Sequence, residues 1–132
     1  MAAFDKDFLV QVLADASAAA DEAGDEWMRN AKPRYVVYNV DLNGRRTDEK
    51  QEYLLDVCGN SHLVVKDKRS AFYKALVKFG LIHDRYTPTL PIETKYRFHQ
   101  EMGLHEACMA AAKQVLVSYN LAQYVRTWTY ID

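Results

Sequence analysis

Apolar side chains recur every three or four residues from Phe8 onward, at Phe8, Leu9, Val12, Leu13, Ala16, Ala20, Ala23 and Trp27. That period predicts a helix from Asp5 or Asp7 to about Asn30, with an acidic first turn that suits the positive end of its dipole. Its middle, "ASAAADEAG", presents small side chains that let a neighbouring element approach closely. Pro33 closes it. The period then changes to two: "RYVVYNVDL" is rich in Val and Tyr, reads as a strand and ends at the Asn43-Gly44 turn signal. "RRTDEKQE" reads as a charged, solvated connection, "YLLDV" as a second strand reaching Cys58, and Gly59-Asn60 as a tight turn into a third strand, "HLVVK".

Helical spacing returns in "RSAFYKALVKFG", which places Phe72, Ala75, Leu76 and Phe79 on one face and Lys74 and Lys78 on another, with Gly80 as its stop. Residues 81–98 contain two prolines and read as a loop, with one edge strand near Ile92 to Tyr96. "GLHEACMAAAKQVLVSYN" is a further helix with Leu104, Cys108, Ala111, Ala112, Val115, Leu116 and Tyr119 apolar, so two Ala-rich helices are expected on one sheet face. The tail "AQYVRTWTYID" alternates as a strand that closes the sheet. Strands joined by short turns pair antiparallel and helices must cover a face. The order therefore predicts an α+β fold of two layers, a mostly antiparallel sheet with helices packed on one face.

The 132 residues suffice for one domain over 1–132 that buries about two thirds of its unfolded surface. A hydrophobic fraction of 49% and a charged fraction of 27% are those of a folding globular chain. The net charge is −1, from 17 basic and 18 acidic residues, so any attraction to a polyanion must be local, and nucleic acid is a possible but not a favoured partner. Two distant cysteines make no disulfide framework and no CxxC zinc motif, which fits a reducing cytosol. "MAAFDKDFLVQVL" lacks the basic region of a signal peptide, and no apolar run reaches the roughly 20 residues of a membrane span.

"AADEAGDEW" in the first helix, "DVCG" before an apolar strand, "KRSAFYKALVKFG", "HEACMAAAKQVL" and the terminal aromatic strand ending "YID" together resemble a set of small uncharacterised bacteriophage proteins. The likeness covers most of the chain. It implies a phage origin and no particular reaction, and points to host interaction or a virion accessory role, in the host cytoplasm or in the particle.

Four constellations carry candidate chemistry. Cys58 and His62 could pair as thiolate and imidazole, the histidine making the thiol nucleophilic, although a cysteine at a strand end is more often a small buried hydrophobe. Glu101, His105 and Cys108 share a helix face, with His99 nearby, and could hold zinc. A second ligand pair is missing and Cys108 sits on the apolar stripe, so no metal and no cofactor is expected. Lys66, Lys68, Arg69, Lys74 and Lys78 form the densest basic run, suited to an acidic partner or, more blandly, to water; Tyr73 could add a stacking surface to it.

Nine tyrosines and two tryptophans supply interface anchors, among them Tyr35 and Tyr38. Alternation in the last strand puts Tyr124, Arg126, Trp128 and Tyr130 on one face and Val125, Thr127, Thr129 and Ile131 on the other, leaving open which one is exposed. Walker, GxGxxG, HExxH and GxSxG patterns are absent.

The reading that follows is a non-enzymatic, phage-encoded domain that binds a host or phage protein and can form a homo-oligomer, with the terminal strand anchoring contacts and Lys74 and Lys78 steering. The alternatives are a virion or assembly accessory protein and a small Cys58/His62 enzyme.

Overall fold

The computed structural model describes residues 4–31, 35–53, 58–83 and 87–131; for 35–38 and 49–53 it describes the backbone alone. Helix α1 spans Lys6–Asn30. Asp5 caps it, its carboxylate accepting the N–H groups of Asp7 at 2.8 Å and Phe8 at 3.4 Å and so satisfying two donors that have no partner within the helix. Leu9, Val12, Leu13, Ala16, Ala20 and Gly24 form its buried stripe. The helix ends at Asn30; Pro33, expected to close it, lies outside the described residues.

Strands β1 (Tyr35–Val40) and β2 (Arg46–Tyr53) form an antiparallel hairpin, with Tyr35 opposite Tyr53 and Val40 opposite Arg46. Asp41 shapes the turn: its carboxylate accepts the N–H groups of Asn43 and Arg45, both at 2.9 Å, and Gly44 takes φ 78°, which glycine adopts without strain. The charged segment "RRTDEKQE" is therefore mostly strand and not a connection. Turn chemistry and backbone pairing define it, so it carries no apolar alternation. Of the expected strand "YLLDV", residues 54–57 lie outside the described residues.

β3 spans Gly59–Val65, so Gly59-Asn60 is not a turn. Cys58 bridges Glu101, and the Gly59 N–H donates to the Gln100 carbonyl at 3.0 Å, which carries the extended chain straight through the pair. Glycine is required there for proximity: a Cβ on Gly59 would lie 2.5 Å from the carbonyl oxygen of Tyr130.

Helix α2, Ala71–Lys78, is capped by the Ser70 hydroxyl, which accepts the Tyr73 N–H at 3.1 Å, and buries Phe72, Tyr73 and Leu76. At its end the Gly80 N–H reaches the Val77 carbonyl at 3.0 Å and the Leu81 N–H reaches Leu76 at 2.9 Å, with Gly80 at φ 70°. Helix α3, Met102–Ser118, ends in the same way with Asn120 at φ 61°. There the Asn120 and Leu121 N–H groups donate to Val117 at 3.0 Å and Leu116 at 2.8 Å.

The expected edge strand at Ile92 to Tyr96 does not form. The edge contact falls earlier, where Thr89 bridges Val64, and the chain that follows is held by polar groups four residues apart on α1. Ser17 Oγ accepts the Glu93 N–H at 3.0 Å, and an Asp21 carboxylate oxygen accepts the Lys95 N–H at 2.9 Å. Asp25 takes both the Tyr96 hydroxyl and the Lys95 ammonium, the latter at 2.6 Å.

β4, Val125–Ile131, pairs antiparallel with β3 from Gly59 opposite Ile131 to Val65 opposite Val125. The fold is α+β, and its described strands form two separate antiparallel pairs. α3 covers the β3–β4 pair, while α1 packs chiefly along α3, where small residues on both helices allow close approach, so the two Ala-rich helices do not share the sheet equally. One hydrophobic core joins Leu9, Ala16 and Ala20 of α1 to Leu63 and Val65 of β3, Phe72 and Leu76 of α2, and Leu104, Cys108 and Leu116 of α3.

Candidate interaction surface

The β3–β4 register decides which way each group points. Lys66 N–H donates to the Tyr124 carbonyl at 2.9 Å, whereas Val65 N–H donates to Pro88 at 2.9 Å and the Leu63 carbonyl accepts from Leu90 at 2.8 Å. Backbone partners alternate along an antiparallel pair, so residues 126, 128 and 130 turn their N–H and C=O groups to β3, and residues 127, 129 and 131 turn theirs away. Among the described residues no strand lies on that outer edge.

Side-chain direction alternates as well. Gly59, Ser61, Leu63 and Val65 are buried on the helix side. Arg126, Trp128 and Tyr130 therefore share the face opposite the helices with His62 and the buried Val64, while Thr127, Thr129 and Ile131 on the other face of the last strand are exposed as well. The structure separates Tyr124 from them. It belongs to a 3-10 turn, Ala122–Tyr124, and stacks on Phe72 with ring centres 5.1 Å apart. β4 itself is thinly covered, because α3 lies over β3: only Val125 is buried, Trp128 is 40% exposed and Ile131 69%.

His62, Trp128 and Tyr130 form an aromatic cluster. The His62 ring stacks on Tyr130 at 5.8 Å and sits 6.2 Å from Trp128, while Trp128 and Tyr130 are 5.0 Å apart. His62 Nε2 is 3.4 Å from the Tyr130 hydroxyl. Burial holds the His62 pKa below its ordinary value, with a smaller contribution from His105.

The expected Cys58–His62 pair does not form. The two lie on one extended strand, four residues or about 13 Å apart, and not across a turn. Cys58 is exposed, its thiol 3.8 Å from Gln100 Oε1. The set Glu101, His105 and Cys108 is likewise dispersed. Cys108 is wholly buried in the core, which pushes its thiol pKa up. His105 is buried with Nε2 against the His99 carbonyl, and Glu101 lies 3.5 Å from His99 Nδ1. Among the described residues no group of three or more His, Cys, Asp and Glu could hold a metal ion.

The basic run divides in two. Lys66 and Lys68 join Arg126, with Val64, Val65, Thr87 and Pro88, around an open cleft of about 460 Å³, and among the described residues no acidic side chain lines it. Asp67, next to them in sequence, is turned to Arg69 at 3.2 Å. Lys74 and Lys78 are exposed on α2, the Lys78 ammonium 5.5 Å from the Phe79 ring centre. Sequence reasoning missed the grouping of Arg126 with Lys66 and Lys68, because it exists only once Val64 is set opposite Arg126.

No family model, curated protein or solved structure matches the chain. Among the described residues no helix is long and apolar enough to cross a membrane.

Proposed function

We propose that the protein is a non-enzymatic interaction domain of phage origin that binds an acidic surface of a host or phage protein on the outward face of β3–β4. The observation that carries this reading is the juxtaposition of an aromatic cluster, Trp128, Tyr130 and His62, with the cations Arg126, Lys66 and Lys68 on one rigid strand pair. Aromatic side chains anchor protein contacts at low entropic cost, and a cleft that carries Arg126 and Lys66 favours carboxylates and speeds their encounter. The phage origin is part of the proposal and rests on the sequence resemblance alone, which points equally to a host partner and to a virion accessory role. Lys74 and Lys78 add long-range attraction from α2 and make no contact of their own in this scheme.

The test is co-purification from host lysate with mass spectrometry, followed by titration of the purified partner. Trp128→Ala is expected to weaken binding by tenfold or more, as a central aromatic anchor does. Arg126→Glu is expected to slow association and to flatten its salt dependence. Unchanged affinity in both variants would sink the proposal.

A further inference from the structure

We propose that β4 is a homodimerisation strand, pairing antiparallel with β4 of a second copy about a two-fold axis at Trp128. This goes beyond the partner-binding face, since it uses the strand's edge. The outward N–H and C=O groups of Thr127, Thr129 and Ile131 meet no strand among the described residues, and all but one of the seven β4 residues keep solvent contact. An open edge of this length is normally guarded by proline, by several charges or by a bulge. β4 has a regular register with β3, no proline and one charge, Arg126.

A second copy fits this edge better than an arbitrary strand, because the sequence "VRTWTYI" is complementary to itself when reversed. With the two-fold at Trp128, Val125 faces Ile131, Arg126 faces Tyr130, Thr127 faces Thr129 and Trp128 faces its own copy. Residues 126–130 pair throughout, while the N–H of the buried Val125 is already held by the Ala122 carbonyl. The outward-pointing backbones of Thr127 and Thr129 become the hydrogen-bonded pairs, and Trp128 falls in a non-hydrogen-bonded pair, where side chains lie closest. The sole charge of the strand meets an aromatic face and not its own copy, which favours a cation–π contact over repulsion. A net charge of −1 leaves little repulsion between whole molecules. The product is a continuous four-stranded sheet, β3–β4–β4–β3, with both aromatic faces on one side. One strand gives a small interface, so dissociation in about the micromolar range is expected.

The experiment is sedimentation velocity on the full chain across about 1–300 µM, a range that brackets the expected constant. Wild type should pass from monomer to dimer. Thr129→Pro removes an outward N–H that β3 does not use, together with the hydroxyl 2.9 Å from the buried Ser61 Oγ; the chain should melt lower, remain folded by circular dichroism and stay monomeric. In a Cys58→Ser background, Trp128→Cys should cross-link on mild oxidation much faster than Thr127→Cys, which has no copy of itself opposite. A wild-type monomer at every concentration overturns the proposal, as does a dimer that survives Thr129→Pro and does not cross-link at position 128. Titrating the purified partner against Thr129→Pro separates the two ideas: monomeric protein that still binds shows the face acting without the dimer.

Discussion

The ring of Tyr96 occupies the space that a side chain at position 24 would fill: a Cβ on Gly24 would come within 2.5 Å of two ring carbons. The absence of that atom lets Tyr96 cross α1 and deliver its hydroxyl to Asp25. In an open helix interior Gly→Ala gains up to about 1 kcal/mol. Here overpacking costs about 1–3 kcal/mol, so Gly24→Ala should lower stability on balance. Denaturant melts should show the penalty shrinking sharply in a Tyr96→Ala background. It should not vanish, since the Cys108 sulfur also lies 3.0 Å from that Cβ position.

Asp25 gives the loop contact a pH dependence. The Lys95 ammonium, and then the Tyr96 hydroxyl, hold its carboxyl below the ordinary value of 3.8. The stabilisation is therefore fully present above the unfolded-state value and is lost as pH falls through the lower folded-state value. Urea midpoints of wild type and Asp25→Asn should differ at pH 5–7 and converge only once pH falls below the lowered folded-state value, where both chains carry a neutral group at this position.

The two thiols should respond differently to Ellman's reagent. Cys58 is exposed and should react in the native state, while Cys108, with no exposed surface, should react only on unfolding. Because His62 stacks on Tyr130 and not on Cys58, His62→Gln should leave the Cys58 rate unchanged within about twofold. A tenfold fall would restore the thiolate–imidazole pair that the strand geometry separates.

The matched ends of α2 and α3 predict opposite outcomes for reciprocal substitutions. Gly80→Ala forces a Cβ into φ 70° and should cost about 1–2 kcal/mol. Asn120→Gly relieves φ 61° and should be neutral or stabilising by up to about 1 kcal/mol. Thermal melts of the two single variants suffice to check the signs.

Local patterns in the sequence located the three helices and the strands β1 and β4, because helical period, Val and Tyr content and the Asn43-Gly44 turn are local signals. They failed where pairing is distant. Gly59-Asn60 carries turn residues, yet it is held extended by Gln100 and Tyr130, whose positions no local window contains. The charged β2 is fixed by its hairpin partner, and the 91–98 segment by Ser17, Asp21 and Asp25, polar residues that look like an ordinary solvated helix face. Of the candidate surface, the grouping of Arg126, Trp128 and Tyr130 was legible as period-two alternation. Its outward direction, the addition of His62 and the cation cleft all depended on the β3–β4 register.

That same register closes one long loop, since α2, the 81–98 segment and α3 all lie between the paired residues Val65 and Val125. Closing such a loop loses chain entropy before any strand contact compensates, so β3 and β4 should meet late on the folding path, after local helix formation. A chain stalled before that step would hold its aromatic and basic residues on two unconnected segments, and the face that combines them would come into being with the native state itself.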